Sequence, residues 1–236
     1  MASVELLFTS LQFLMIKTMA SNCRILPITQ DEESRVISFL NTNFMKDEPL
    51  NASQPESLRE QIQAPLEYLK SGLCLKMVSG AGDLLGVAIN AVDEELESVE
   101  LRLDDLDQGN DGKEPGVNPI IEQFIRHITE MLPANIKDAK GIMRIHKLAV
   151  RPESRNKGIG RRLIEASVQL AQERHLPGIQ ANCSNHYSSQ IFSAIDGFTR
   201  ILSVPFASFV DPDCGKPFFS PPPPHVSMDV FYMTPH

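Results

Sequence analysis

Residues 148–163, Leu-Ala-Val-Arg-Pro-Glu-Ser-Arg-Asn-Lys-Gly-Ile-Gly-Arg-Arg-Leu, constrain the fold more than any other segment of the chain. An apolar strand ending Leu148-Ala149-Val150 gives way to a basic turn holding Gly158 and Gly160, then to the first turn of a helix. A helix start presents unpaired backbone N–H groups and about half a positive charge, which together attract an anion. The two glycines carry no Cβ, so a phosphate can approach the main chain closely. Five of the 22 basic residues, Arg151, Arg155, Lys157, Arg161 and Arg162, fall within twelve positions. The expected ligand carries phosphates; the competing reading is a solvated helix start with a favourable surface charge pattern.

Elimination narrows the ligand. A P-loop would end in Gly-Lys-Ser/Thr, whereas Gly160 is followed by Arg161 and Arg162, leaving no hydroxyl for magnesium. A dinucleotide fingerprint would place a small residue where Leu163 stands, and would open a βαβ repeat rather than fall late in the chain. The segment does match Arg/Gln-x-x-Gly-x-Gly/Ala, as Arg155-Asn156-Lys157-Gly158-Ile159-Gly160. In that pattern it resembles the acetyl-CoA pyrophosphate loop of the GNAT N-acetyltransferase superfamily.

The element order agrees with that resemblance. Alternation gives strands over 24–28, 73–78, 84–92, 142–150 and 178–183, and a final antiparallel pair over 198–209 and 226–233. Thr29 with Glu32 forms a capping box for a helix to about Asn43, and helical spacing recurs over 56–69, 118–132, 158–175 and 188–195. Residues 44–51 and 104–118 read as loops, and Pro217 to Pro224 as a proline-rich excursion. The expected fold class is α+β, with a mixed, mostly antiparallel sheet flanked by helices. By resemblance, strands four and five splay apart to admit the cofactor.

A chain of 236 residues with 42% apolar content can bury one sizeable core, and no long linker divides it. The expected organisation is an N-terminal extension of uncertain role over 1–20 and one domain over 21–236. The apolar run Leu6 to Ile16 lacks a basic flank and is too short to span a bilayer. A net charge of −8 argues against nucleic acid and suits a cationic substrate. Cys23, Cys74, Cys183 and Cys214 show no metal-ligand spacing, so reduced thiols in a cytoplasmic monomer, with no metal and no membrane partner, are expected.

Two further segments resemble one branch of the superfamily, the insect arylalkylamine N-acetyltransferases. Lys46-Asp47-Glu48-Pro49-Leu50-Asn51 is similar to its Lys-Asp-Glu-Pro-Leu-Asn loop, and Cys183-Ser184-Asn185-His186-Tyr187-Ser188 to its Cys-Ser-x-His-Tyr-Ser segment. Pro224-His225-Val226 is also similar. The resemblance implies an acyltransferase that moves acetyl from acetyl-CoA to an arylalkylamine such as dopamine, tyramine, serotonin or tryptamine. Glu48 falls at the branch's catalytic glutamate, and Ser184 and Ser188 at the two serines grouped with it. Asp47, Tyr187 and His225 are expected beside the substrate. Leu148, Ala149, Val150, Arg155, Asn156, Lys157, Gly158, Ile159, Gly160 and Arg161 are expected to bind the cofactor. The amide of a strand-four bulge near Leu148 would face the reacting carbonyl.

The chemistry calls for such groups. An aliphatic amine with a pKa near 10.4 is free base in roughly one molecule in 10³ at neutral pH, so deprotonation costs about 4–5 kcal/mol. A carboxylate near the nitrogen, directly or through water, can take that proton. Each residue also has a plainer reading: a solvated loop for Glu48, caps of the following helix for the serines, a packed ring for Tyr187, an inert thiol for Cys183. His127, His146 and His175 carry no motif, whereas His186 lies inside the matched segment, where a substrate contact competes with a structural or surface role. Alternatives are acetylation of a polyamine, agmatine, histamine or a peptide amine, or a non-catalytic acyl-CoA-binding protein.

Overall fold

The computed structural model describes residues 23–54, 62, 67–92 and 118–235. The 1–20 extension and nearly all of the loop expected over 104–118 lie outside these residues. So does most of the helix expected over 56–69, of which a 3₁₀ turn, Glu67–Ser71, is described. Seven strands form one sheet in the order β1-β2-β3-β4-β5-β7-β6. They are β1 (Arg24–Pro27), β2 (Leu75–Val78), β3 (Leu84–Val92), β4 (Met143–Val150), β5 (Ile179–Cys183), β6 (Thr199–Pro205) and β7 (Ser227–Met233). Every pairing is antiparallel except β4 with β5.

The helices follow local signals. Thr29 and Glu32 form the expected capping box, and a 3₁₀ turn leads into α1 (Glu33–Leu40). That helix widens into a π turn over Asn41–Met45, two residues past its expected end. The expected loop over 44–51 contains a short helix instead, α2 (Pro49–Ala52), because Pro49 sits at a first-turn position and the Glu48 side chain caps it. Asn118 caps α3 (Pro119–Glu130), and a separate turn α4 (Ala134–Lys137) follows the break at Pro133. The main helix is α5 (Ile159–Glu173). Last comes α6 (His186–Ser193), which starts two residues earlier than expected because Asn185, not a serine, caps it.

The core divides by sheet face. On one face, α5 and α6 cover β2, β4, β5 and β7 through Leu163, Ile164, Phe192, Met143, Ala181 and Phe231. On the other, α1 covers Val87, Ile89 and Ala149. Farther along that second face, Phe124 of α3, Phe206 and Phe219 pack over Met228 and Val230. Phe219 belongs to the proline-rich excursion, and its burial holds that segment onto the sheet at about 1.5–3 kcal/mol.

Strands β4 and β5 pair only through Met143, Arg144 and Ile145 with Ile179, Gln180 and Ala181. Beyond that they diverge, so the expected splay is present. The register of β3 against β4 passes from Ile89↔Lys147 to Asn90↔Ile145, leaving His146 as the extra residue. The bulge therefore lies at His146, two positions before the expected place near Leu148.

Candidate active site

The basic turn enters α5 through Gly158, whose φ of 74° is left-handed and which supplies no side-chain cap. The first-turn amides are thus left without the usual side-chain acceptor. Gly160 is closely packed, since a Cβ there would lie 3.2 Å from Ile191 Cδ1 and 3.6 Å from Leu148 Cδ2. The Arg151 N–H donates to Leu85 O on β3. Because amide direction alternates along a strand, the N–H groups of Val150 and Leu148 point the opposite way, into the opening between β4 and β5.

The turn's cations are partly committed to the protein. Arg161 pairs with Glu165 at 2.7 Å, and Lys157 donates to Glu153 O. Arg155 donates to Val150 O at 3.2 Å, to Asn43 O at 3.3 Å and to the Asp47 carboxylate at 2.9 Å. Asp47 faces Arg155, so the loop before α2 and the turn before α5 are tied together.

Glu48 lies at the point where these segments meet. Its carboxylate accepts the Asn51 N–H at 2.6 Å, while Asn51 Nδ2 donates to Met45 O at 2.8 Å and keeps the turn closed. Burial pushes the Glu48 carboxyl above the usual carboxylate range. Hydrogen bonds from the Ser184 hydroxyl and the amides of Asn51 and Leu50, with the Lys147 ammonium nearby, oppose that shift without cancelling it. A carboxyl held this way binds a proton more tightly than one in water.

Ser184 joins Glu48 directly, whereas Ser188 sits in the first turn of α6 and donates to Asn185 O at 2.7 Å. Ser188 also bonds the Cys183 thiol, whose pKa is pushed up to about 12 by burial and by Asp229. A thiol so protonated is an inert core group. Tyr187 is 59% exposed rather than packed, with its ring edge-on to His186 and His225 at 5.7 and 5.8 Å. His225 Nδ1 accepts the His186 N–H at 3.2 Å, and burial and His186 hold its pKa below the usual histidine value.

Sequence reasoning passed over three groups here. Lys147 lies 6.0 Å from the Phe44 ring centroid and acts electrostatically on Glu48. Asp229 anchors α6, accepting Ser189 at 2.8 Å and Ser203 at 2.6 Å with Arg200 3.6 Å away. Gln180 and Asn182 alternate with Ile179, Ala181 and Cys183, a period of two that was visible in the sequence. Among the described residues no His/Cys/Asp/Glu group could hold a metal ion, and no helix is long and apolar enough to cross a membrane.

Residues 120–192 match the model of the acetyltransferase (GNAT) family. That match, the seven-stranded sheet with its parallel β4–β5 pair and the glycine turn give the described residues the GNAT fold, and the GNAT family uses acetyl-CoA as cosubstrate. The chain's structural neighbours include insect amine acetyltransferases. It is similar to arylalkylamine N-acetyltransferase 2 from Aedes aegypti, with a TM-score of 0.76 and 23% identity over 91% of this chain and 100% of that one. It is also similar to Drosophila melanogaster polyamine N-acetyltransferase, which forms N-acetylagmatine, with a TM-score of 0.71 and 19% identity over 90% and 99% of the chains.

The glycine turn can be tested alone. Gly158→Ala should weaken acetyl-CoA binding about tenfold by calorimetry, because a left-handed alanine costs about 1–2 kcal/mol and its methyl stands where a phosphate would approach. No protein atom lies within 4 Å of the added Cβ, so steric loss of fold is not expected. Unchanged affinity would remove Gly158 from the cofactor site.

Proposed function

We propose that the enzyme acetylates a primary arylalkylamine by direct attack on the thioester while both substrates are bound, with Glu48 as general base. The observation that carries this reading is the buried Glu48 carboxyl, bonded to Ser184 beside the opening between β4 and β5. Acetyl-CoA would supply the acyl group. Glu48 would take a proton from the amine, freeing the lone pair that attacks the carbonyl carbon. The Leu148 N–H would stabilise the oxygen as it gains charge. As the carbon–sulfur bond breaks, Tyr187 or a Ser188–water relay would return a proton to the thiolate.

The residues fit such a cosubstrate: left-handed Gly158, the close-packed Gly160 and the outward amides of Leu148 and Val150 form a cradle suited to an extended phosphate-bearing arm. Thiol release from acetyl-CoA should be measured with arylalkylamines, agmatine, putrescine, histamine and a lysine peptide. Acceleration by an arylalkylamine supports the reading. Acceleration only by agmatine or putrescine would move the acceptor to the polyamine class. Acetyl-CoA binding without turnover on any amine would point to a non-catalytic acyl-CoA-binding protein.

A further inference from the structure

The face of the sheet opposite α5 is apolar at both ends and polar in the middle. Val87, Ile89 and Ala149 lie under α1 on one side, and Met228 and Val230 lie under the phenylalanine cluster on the other. Between them, β5 turns Gln180 and Asn182 to this face, in line with Ser184, while its alternate residues Ile179, Ala181 and Cys183 enter the opposite core. Neighbouring β4 contributes His146, displaced by its bulge and stacked on Tyr68 at 4.7 Å. Folding alone gives no reason to put buried amides and an imidazole between two apolar clusters.

Two atoms in this strip have no partner. Among the described residues, three buried side-chain polar atoms lack a hydrogen bond: Asn90 Oδ1, His146 Nε2 and Gln180 Oε1. Asn90 belongs to the other face, where its amide nitrogen donates to Ser167 of α5. Gln180 is 1% exposed, and its amide orientation is set by Nε2 donating to Asn182 Oδ1 at 3.1 Å, which leaves Oε1 as a free acceptor. Leaving such an atom unpaired is costly, and a native site that keeps one commonly meets a ligand there.

We infer that Gln180 Oε1 and His146 Nε2 form a distal subsite that binds a hydroxyl on the aromatic ring of the acceptor amine. This rests on the transferase reading above, with the amine nitrogen at Glu48. Gln180 precedes Ser184 by four residues, about 13 Å along an extended strand, and side chains from both ends shorten that gap to a short spacer and a ring. A phenol hydroxyl is both donor and acceptor, so it can donate to the glutamine oxygen while accepting from the imidazole in the tautomer that carries its proton on Nε2. Burial and the flanking cations Lys147 and Arg144 lower the His146 pKa to about 3, so the ring is neutral. Arg144, in register with Gln180, disfavours a guanidinium or second ammonium at this end, which favours hydroxyarylethylamines over agmatine and polyamines.

The test compares kcat/KM of the wild-type enzyme for phenethylamine, tyramine, dopamine, agmatine and putrescine, then repeats the series with Gln180→Leu and His146→Phe. Tyramine and dopamine should exceed phenethylamine by about 10- to 100-fold, since the analogue without a hydroxyl leaves buried polar atoms unpaired. In Gln180→Leu that ratio should fall towards one with acetyl-CoA affinity retained, and His146→Phe should lower it in the same direction. Equal wild-type rates with and without the hydroxyl overturn the subsite while leaving the transferase standing. So does a preference for agmatine or putrescine. Silence from every amine overturns the transferase reading, and the subsite with it. The wild-type series needs no variant, so a substitution that fails to fold does not block the outcome.

Discussion

Glu48→Gln should lower kcat by about 10²- to 10⁴-fold, the usual contribution of a positioned general base, while acetyl-CoA affinity stays near the wild-type value. Glutamine keeps the cap, because its amide oxygen can accept the Asn51 N–H that the carboxylate accepts now. It cannot take the proton from an ammonium. The pH dependence follows from the raised Glu48 pKa. The basic form is lost as pH falls through that value, so wild-type kcat/KM should decline on an acid limb lying above pH 4.5, and the residual rate of Glu48→Gln should lack that limb.

Stability should move the other way. A carboxyl whose folded pKa is raised contributes stability below its unfolded value and loses it as pH rises through the folded value. At neutral pH the buried carboxylate is therefore a cost, and Glu48→Gln should melt at or above the wild-type temperature. Lost turnover with a preserved or higher Tm marks a catalytic group. Loss of turnover, Tm and acetyl-CoA binding together would mark Glu48 as structural, and normal turnover would sink the base assignment.

Gly86→Ala should strike fold and cofactor site together. Gly86 lies in β3 opposite Val150, where α5 crosses the sheet. A Cβ there would stand 2.9 Å from Ala149 O, 3.0 Å from Ile159 Cγ2 and 3.1 Å from Leu163 Cδ1. The first contact is backbone and the second is the branched Cγ2 of Ile159, so of the three only the Leu163 Cδ1 end can yield readily. Overpacking of this kind costs about 1–3 kcal/mol, or several degrees of Tm at roughly 2–4 °C per kcal/mol for a domain of this size. Because Ile159 is the residue after the Gly158 cap, displacement of α5 should also weaken acetyl-CoA binding. A Tm and affinity both unchanged would show that helix and sheet are less tightly packed than these distances require.

Much of the architecture was legible locally. The glycine turn, the Thr29–Glu32 box, the Asn118 cap and the alternation of β3 and β5 depend on residues a few positions apart, and such patterns translate into backbone geometry with little tertiary help. The local misreadings have local causes. Residues 44–51 read as a loop throughout, although Pro49 with a capping Glu48 starts a helix there only four residues long. Asn185 competes with two neighbouring serines as a cap, and the competition was settled two residues earlier than the apolar spacing suggested.

By itself, then, the sequence determined a strand–turn–helix built for a phosphate, an α+β order around it, and a carboxylate in a loop resembling a catalytic one. Only the tertiary structure decided what surrounds that carboxylate. The Ser184 hydroxyl against Glu48, the Asp47–Arg155 pair across 108 positions and the bulge at His146 all depend on which strands become neighbours. Burial decided the chemistry as well: the same Glu side chain in a solvated loop would keep its ordinary pKa. Periodicity reports which face a residue takes, but desolvation and long-range contacts arise only when distant segments pack together.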